Sequence, residues 1–259
     1  MAVFDFGKNW EDFSLNALDQ SSLKEAEESL ESLLGREGLR GKSFLDIGSG
    51  TGIFSIAAAK MDASKIVGFD INQKCIEIAV KNSEVFALGS VTPEFRRISI
   101  LESDSIAALG KYDVVYAWGS LHHTGAMFKA IENASGCVAN GGTFVLAIYN
   151  KHVTSPIWKK IKRFYNQSPG VVRRLMVYLF ILVIFTAKLL FTRRNPFKQR
   201  RGMNFYYDVI DWIGGYPYEY ASADEIVKFL NCLNFKNVKV TTPDVPTGCN
   251  EFVFVKQQS

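Results

Sequence analysis

Past residue 40, short continuous apolar runs alternate with stretches in which apolar residues recur every three or four positions. Residues 43–47, 66–70, 95–101, 112–118 and 143–149 read as strands, and 53–60, 73–86 and 126–138 read as helices between them. Strands buried on both faces lose the polar alternation of an exposed sheet. This order therefore predicts an α/β fold, a doubly wound, mostly parallel sheet of Rossmann-like type. Ahead of it, Leu23, Ala26, Leu30, Leu33 and Leu34 mark one helix face, with Ser22 and Glu25 spaced as a capping box and Gly35 as the stop. Later, Ser222 and Glu225 repeat the capping spacing for a helix over 223–233, and strands at 238–242 and 251–256 bring the sheet to seven. The chain divides into a helical cap (1–40), a cofactor-sized core (41–150), a segment that breaks the rhythm (151–207) and a portion that completes the sheet (208–259).

Composition supports one large core: 259 residues with 47% hydrophobic content exclude a disordered chain or a disulfide-stapled miniprotein. Cys75, Cys137, Cys232 and Cys249 form no C-x-x-C pair, which predicts reduced thiols, no zinc site and a cytoplasmic protein. Residues 1–12 carry acidic side chains and no apolar signal segment.

The net charge of +4 conceals an asymmetry. No acidic residue occurs between Glu132 and Asp208, a stretch that carries 13 Lys or Arg, while the rest of the chain holds 17 basic against 26 acidic residues. Within that stretch residues 175–187 carry no charge at all. Extended to Phe191, the run would make about 26 Å of helix, short of a hydrocarbon core of roughly 30 Å. A single crossing also conflicts with strands on both sides joining one sheet. Lys159, Lys160, Lys162, Arg163, Arg173 and Arg174 precede the run, and Arg193, Arg194, Lys198, Arg200 and Arg201 follow it. The expectation is peripheral contact of residues 171–201 with the anionic inner face of a membrane. A substrate lid or a helix buried between the copies of a homo-oligomer is the alternative. Nucleic acid is disfavoured, since it gives no reason for thirteen consecutive uncharged residues.

The candidate chemistry begins at Phe44-Leu45-Asp46-Ile47-Gly48-Ser49-Gly50-Thr51-Gly52. A glycine turn between a strand and a helix N-terminus lets backbone approach a ligand. Asp70, 18 residues past Gly52 at the end of the next strand, can accept hydrogen bonds from both hydroxyls of a ribose. Together they predict a nucleoside-bearing cofactor. The glycines alternate as Gly48, Gly50 and Gly52 instead of following the dinucleotide spacing. Asp46 precedes them, where a carboxylate suits a cationic amino group and sulfonium better than a pyrophosphate.

This loop resembles motif I of class I S-adenosylmethionine-dependent methyltransferases, and Ile66-Val67-Gly68-Phe69-Asp70 resembles their motif II. Tyr112-Asp113-Val114-Val115-Tyr116-Ala117-Trp118-Gly119-Ser120-Leu121-His122-His123-Thr124 is similar to the fourth-strand motif of quinol-methylase-type enzymes, and Ala139-Asn140-Gly141-Gly142-Thr143 to the turn before their fifth strand. The stretches 4–10, 211–219 and 248–254 resemble a bacterial branch of the same group, so the likeness leaves out only about residues 165–200. It implies S-adenosyl-L-methionine as cofactor, with Asp46, Gly48, Ser49, Gly50 and Gly52 along its methionine part. Asp70 would hold the ribose, Ile71 would meet the adenine face, and Ser99 and Ile100 its edge. Trp118 and Gly119 would approach the cofactor, although Trp118 fits equally as a core wall. Phe6, Asn9 and Trp10 would close from the N-terminal side.

For an oxygen acceptor the protein must align the nucleophile and remove a proton. His122 and His123 follow the fourth strand and are candidates for acceptor contact or general base, with a structural imidazole as the rival reading. Asp211 and Glu219 flank Trp212 and the Gly214-Gly215 turn in an aromatic loop that would cover the acceptor, or else form an ordinary buried turn. No residues have metal-ligand spacing, so no metal is expected. The expected function is methyl transfer to a small or lipid-linked, quinol-like acceptor at oxygen. Alternatives are methylation of a soluble metabolite or sugar, and a non-catalytic module that binds S-adenosylmethionine.

Overall fold

The strand residues alternate between two packed faces of a central sheet, which is why their sequence reads as nearly continuous apolar runs. In the computed structural model, which describes residues 19–86, 91–187, 205–243 and 248–258 together with Phe4, Gly7, Trp10 and Ser14, Phe44, Ile66, Val114, Tyr116, Val145 and Val253 share one core. Leu45, Ile47, Val67, Val115, Phe144, Leu146 and Phe252 share the other.

Among the described residues seven strands form that sheet: β1 (Ser43–Ile47), β2 (Lys65–Asp70), β3 (Glu94–Arg97), β4 (Tyr112–Trp118), β5 (Val138–Tyr149), β6 (Phe235–Thr241) and β7 (Cys249–Lys256). Their order is β3-β2-β1-β4-β5-β7-β6. The first five are parallel, and β7 runs antiparallel to both β5 and β6. The doubly wound, mostly parallel expectation therefore holds. Helices α1 (Gln20–Leu34) and α2 (Ile53–Lys60) fill one core with Leu23, Ala26, Leu30, Ile56 and their neighbours. Helix α3 (Gln73–Val85) lies beside α2, with Asn82 donating to the Thr51 carbonyl, and leads into β3. On the other side α4 (Ser103–Ala107), α5 (Met127–Gly136) and α9 (Ala223–Asn231) cover the second core through Ile106, Ile131, Ala134, Ile226 and Leu230.

The 151–207 segment contributes two helices, α6 (Ser155–Gln167) and α7 (Gly170–Ala187), which pack with α8 (Phe205–Gly214) around Tyr165, Val177 and Ile213. Because α8 begins at Phe205, the expected boundary at 207/208 cuts a helix, and Asp211 and Trp212 lie on that helix instead of a loop. Residues 188–204, with Arg193, Arg194, Lys198, Arg200 and Arg201, lie outside the described residues.

Several boundaries move for physical reasons. The α1 cap is Asp19, whose carboxylate accepts from the Ser22 amide at 2.8 Å, so Ser22 occupies the third helical position and not the cap. The Ser222–Glu225 capping box forms as expected. β3 stops at Arg97, before the turn in which the Glu102 amide bonds the Ser99 carbonyl. β5 starts five residues earlier than expected, since Val138 already pairs with Tyr112 before the register shifts at Gly141, whose φ is 74°.

Candidate active site

The glycine loop is clamped by backbone. The Gly48 and Ser49 amides both donate to the Phe69 carbonyl, at 2.8 and 3.0 Å, and the Gly50 amide donates to Asp70 Oδ2 at 3.2 Å. Gly48 has φ 73°, and a Cβ there would stand 2.4 Å from Ser120 Cβ. The loop therefore closes against the turn after β4. Asp46, buried on β1, accepts from Ser55 Oγ at 2.7 Å, and burial pushes its carboxyl pKa up to about 7. Asp70 Oδ1 accepts from the Asn72 amide at 2.8 Å, and burial raises its pKa despite these bonds. Ser49 Oγ is buried with no hydrogen-bond partner among the described residues.

These residues fit the S-adenosylmethionine that the resemblance implies. Two raised-pKa carboxylates, an orphaned hydroxyl and a cradle that a side chain at Gly48 would fill suit a cationic, nucleoside-bearing group. Beside them Ile71 is 66% exposed, an apolar surface free to meet a flat ring. Ser99 is half-buried, with its Oγ accepting from the Leu101 amide, while the Ile100 side chain packs into the core under the sheet and its carbonyl accepts from Asn133. The N-terminal residues lie across this face: Trp10 borders Gly50, Gly7 borders Asn72, and Ser14 Oγ bonds Asn82. Phe6 and Asn9 lie outside the described residues.

At the end of β4 Trp118 stacks on Tyr116, with centroids 5.6 Å apart, and Gly119 turns the chain with φ 70°. Ser120 Oγ donates to the Ile47 carbonyl, and the short helical turn Leu121–His123 follows. The two histidines differ. His122 Nδ1 accepts from the Tyr149 amide and its ring also bonds the backbone of Ala147, so it ties the turn to β5. Burial, then His123 and Lys162, hold its pKa well below the ordinary histidine value. His123 Nδ1 lies 2.7 Å from the Pro217 carbonyl. A carbonyl only accepts, so Nδ1 carries the proton and Nε2 is the basic nitrogen. Burial and the Lys162 charge lower the His123 pKa to about 3.

Around them stands an aromatic wall of Tyr149, Tyr216, Tyr218, Trp158 and Trp212. The Tyr149 ring is 4.0 Å from His122 and 5.6 Å from His123. Asp211 reaches this group electrostatically from α8. Glu219 does not join it: both of its oxygens accept from the Met127 amide, at 3.1 and 3.2 Å, at the start of α5. The carboxylate caps a helix N-terminus, where a negative charge is favoured.

The sequence reading overlooked Lys162, having grouped it with the flanking basic residues. Ser155, Trp158, Lys162, Tyr165 and Asn166 share the inward face of α6, and Lys162 is fully buried against Tyr149, Trp212 and Tyr218. The helical spacing from Trp158 to Tyr165 was the signal that could have found it. Among the described residues no group of His, Cys, Asp and Glu could hold a metal ion.

A family model described as a methyltransferase domain matches residues 21–240. A ribosomal protein L11 methyltransferase of Dictyoglomus turgidum is 39% identical over 77 residues, 30% of this chain and 23% of that protein. A ubiquinone biosynthesis O-methyltransferase of Vibrio parahaemolyticus is 29% identical over 119 residues, 46% of this chain and 48% of that protein. The chain thus spans less than half the length of these curated relatives. Among solved structures, magnesium protoporphyrin IX methyltransferase from Synechocystis PCC 6803 with bound SAH superposes with a TM-score of 0.57 at 18% identity, covering 91% of this chain and 83% of that one. With the family model spanning most of its length and a sheet of the same architecture, the chain belongs to the class I methyltransferase domain family.

Proposed function

We propose that this methyltransferase moves the methyl group of S-adenosylmethionine to an oxygen of a small or lipid-linked aromatic acceptor, at an anionic membrane surface. The observation that carries this reading is the continuity of the two half-sites. Ser120, which meets Gly48 of the cofactor loop, begins the turn that brings His123 beside Tyr149. S-adenosylmethionine supplies a methyl carbon activated by a positive sulfur. Asp46 would face the cationic part of that group, the Gly48–Gly50 backbone its methionine portion, Asp70 the ribose and Ile71 the adenine. Trp118 and Gly119 border the space between donor and acceptor.

Such a displacement depends chiefly on alignment and exclusion of water. The rings of Tyr149, Tyr218, Trp158 and Trp212 would orient a flat acceptor. His123 would border the acceptor, His122 holds the turn, and Asp211 sets the local charge. The Vibrio relative, by name an O-methyltransferase of ubiquinone biosynthesis, supports oxygen and a lipid-linked ring.

Membrane contact is supported by α7. Val171, Leu175, Tyr178, Leu179, Leu182 and Val183 project from one side of the helix and are 45–73% exposed. Lys159, Lys160, Arg163 and Arg174 are exposed nearby, in a stretch with no acidic residue. Apolar burial plus about 1 kcal/mol per basic residue suits an anionic leaflet. No helix among the described residues is long and apolar enough to cross a membrane.

Calorimetry with S-adenosylmethionine tests the core reading; absence of binding by the wild type would sink it. Flotation on anionic vesicles tests the surface, and protein left in the soluble fraction would return α7 to a lid or subunit contact. Labelled methyl transfer to lipid extracts and metabolites tests turnover, and cofactor binding without any product would mark a binding module.

A further inference from the structure

A buried cation stands at the acceptor wall with no ion pair at contact distance among the described residues. Lys162 is 0% exposed. Its ammonium has three donors, and one goes to the Trp212 carbonyl on α8. The others face rings: the centroids of Tyr218, Trp212 and Tyr149 lie 4.8, 5.1 and 5.2 Å away. Ring faces attract a cation but accept hydrogen bonds weakly. None of the ion pairs among the described residues includes Lys162. The titratable groups facing it are Asp211 from α8, Cys249 from β7, His122 and His123 from the turn after β4, Tyr149 from β5 and Tyr218 from the chain after α8. Burial lowers its pKa to about 7, with Asp211 opposing. A buried charge with only a more distant carboxylate to offset it is costly, and a methionine would fill the same space without that penalty.

The imidazoles sharpen the point. Each is held toward its neutral form, and the pKa of His123 falls to about 3. A base that weak takes little of the burden of ionising a hydroxyl. Stabilising the ionised acceptor serves the same end, and a cation set among aromatic rings is suited to it.

We infer that Lys162 is the acceptor-anion site: its ammonium holds the oxygen of a phenol-class acceptor as the phenolate, with the acceptor ring among Tyr149, Tyr218 and Trp212. The inference rests on the proposed transfer to oxygen and names the acceptor class. The hydroxyl proton leaves to solvent as the acceptor settles against the ammonium. An oxygen lone pair then forms the bond to the methyl carbon, and the electrons of the breaking sulfur–carbon bond return to sulfur. Lys162 keeps its proton throughout. The charges of ammonium, sulfonium and phenolate before transfer, and of ammonium with two neutral products after it, are equal. The same ammonium repels a protonated amine, so the site selects phenols over amines.

The test uses 4-nitrophenol, whose anion absorbs visible light, titrated against pH with the full chain saturated with S-adenosylhomocysteine. The bound probe should ionise about one pH unit below the free probe, a tenfold shift. Lys162→Gln, which keeps a donor for the Trp212 carbonyl, should abolish the shift, and Lys162→Arg should retain it. Absence of probe binding, an unshifted probe on the wild type, or a shift that survives Lys162→Gln would each overturn the inference. Calorimetry with S-adenosylhomocysteine accompanies every variant. A wild type that fails to bind it sinks the methyl-transfer reading, whereas normal binding with an unshifted probe sinks the role of Lys162 alone.

Discussion

The cofactor half and the acceptor half of the site each bury a charge, and the two charges are opposite in sign. Asp46 is pushed up to about 7 by burial and Lys162 down to about 7 by the same cause. Under the proposed function each would favour a complementary ligand: a cationic methyl donor beside Asp46, an anionic acceptor beside Lys162. Their construction differs. The donor side is assembled from the β1-turn-α2 unit and the end of β2, joined by amide bonds from Gly48 and Ser49 to the Phe69 carbonyl and from Gly50 to the Asp70 carboxylate. The acceptor side is assembled from β5, the turn after β4, α6 and α8, and its rings and the Lys162 ammonium meet through side-chain contacts.

The comparison breaks most sharply at Lys162. Its folded pKa of about 7 lies below an unfolded value of 10.5. Between these values the unfolded chain holds a proton that the folded chain lacks, so stability rises with pH from about 7 toward 10.5. At 1.36 kcal/mol per unit this amounts to at most about 5 kcal/mol. Denaturant unfolding at pH 7 and 9.5 should show the rise in the wild type and its loss in Lys162→Met. Cys137, raised to about 11, opposes the trend above pH 9, so the difference between the two proteins is the quantity to read. Equal slopes would mean that Lys162 is not a destabilised cation.

Next in size is the donor side. Asp70→Ala removes a carboxylate that anchors the Gly50 and Asn72 amides and would hold the ribose. Two charge-assisted bonds correspond to about 3 kcal/mol, roughly a 100-fold loss of S-adenosylmethionine affinity by calorimetry. Lys162→Met should leave that affinity unchanged. If both variants weaken the cofactor alike, the two halves are not separable. Smaller again is the surface effect. Lys159→Gln with Lys160→Gln should weaken partition onto anionic vesicles by about 2 kcal/mol, roughly 30-fold, with no change on neutral lipid.

The same contrast governs what is legible in the sequence. The sheet, its seven strands and the donor loop were legible because strand burial, glycine spacing and the acids at Asp46 and Asp70 are local signals. The acceptor side was not. Glu219 looked like a lid residue, yet it caps α5 through a contact 92 residues away in sequence. Asp211 sits on a helix where the Gly214-Gly215 pair suggested a loop. Lys162 was lost in a run of basic residues because total charge ignores which face of α6 each one occupies.

The smallest effect tests the same distinction between a local pattern and the partner that the fold selects. Ser22 and Glu25 have capping-box spacing, but it is the Asp19 carboxylate that receives the Ser22 amide. That bond lowers the Asp19 pKa below its ordinary value. Asp19→Ala should therefore cost about 1 kcal/mol, as should Ser222→Ala at the genuine box on α9. Ser22→Ala leaves the amide donor in place and should cost less than either. The Asp19 contribution is present above pH 3.8 and fades as pH falls through its lower folded value, whereas the serine hydroxyl at α9 does not titrate in that range. Urea midpoints for the three variants, compared at pH 7 and below pH 4, separate a cap set by charge from one set by a neutral hydroxyl. A Ser22→Ala loss equal to that of Asp19→Ala would return the cap to the serine.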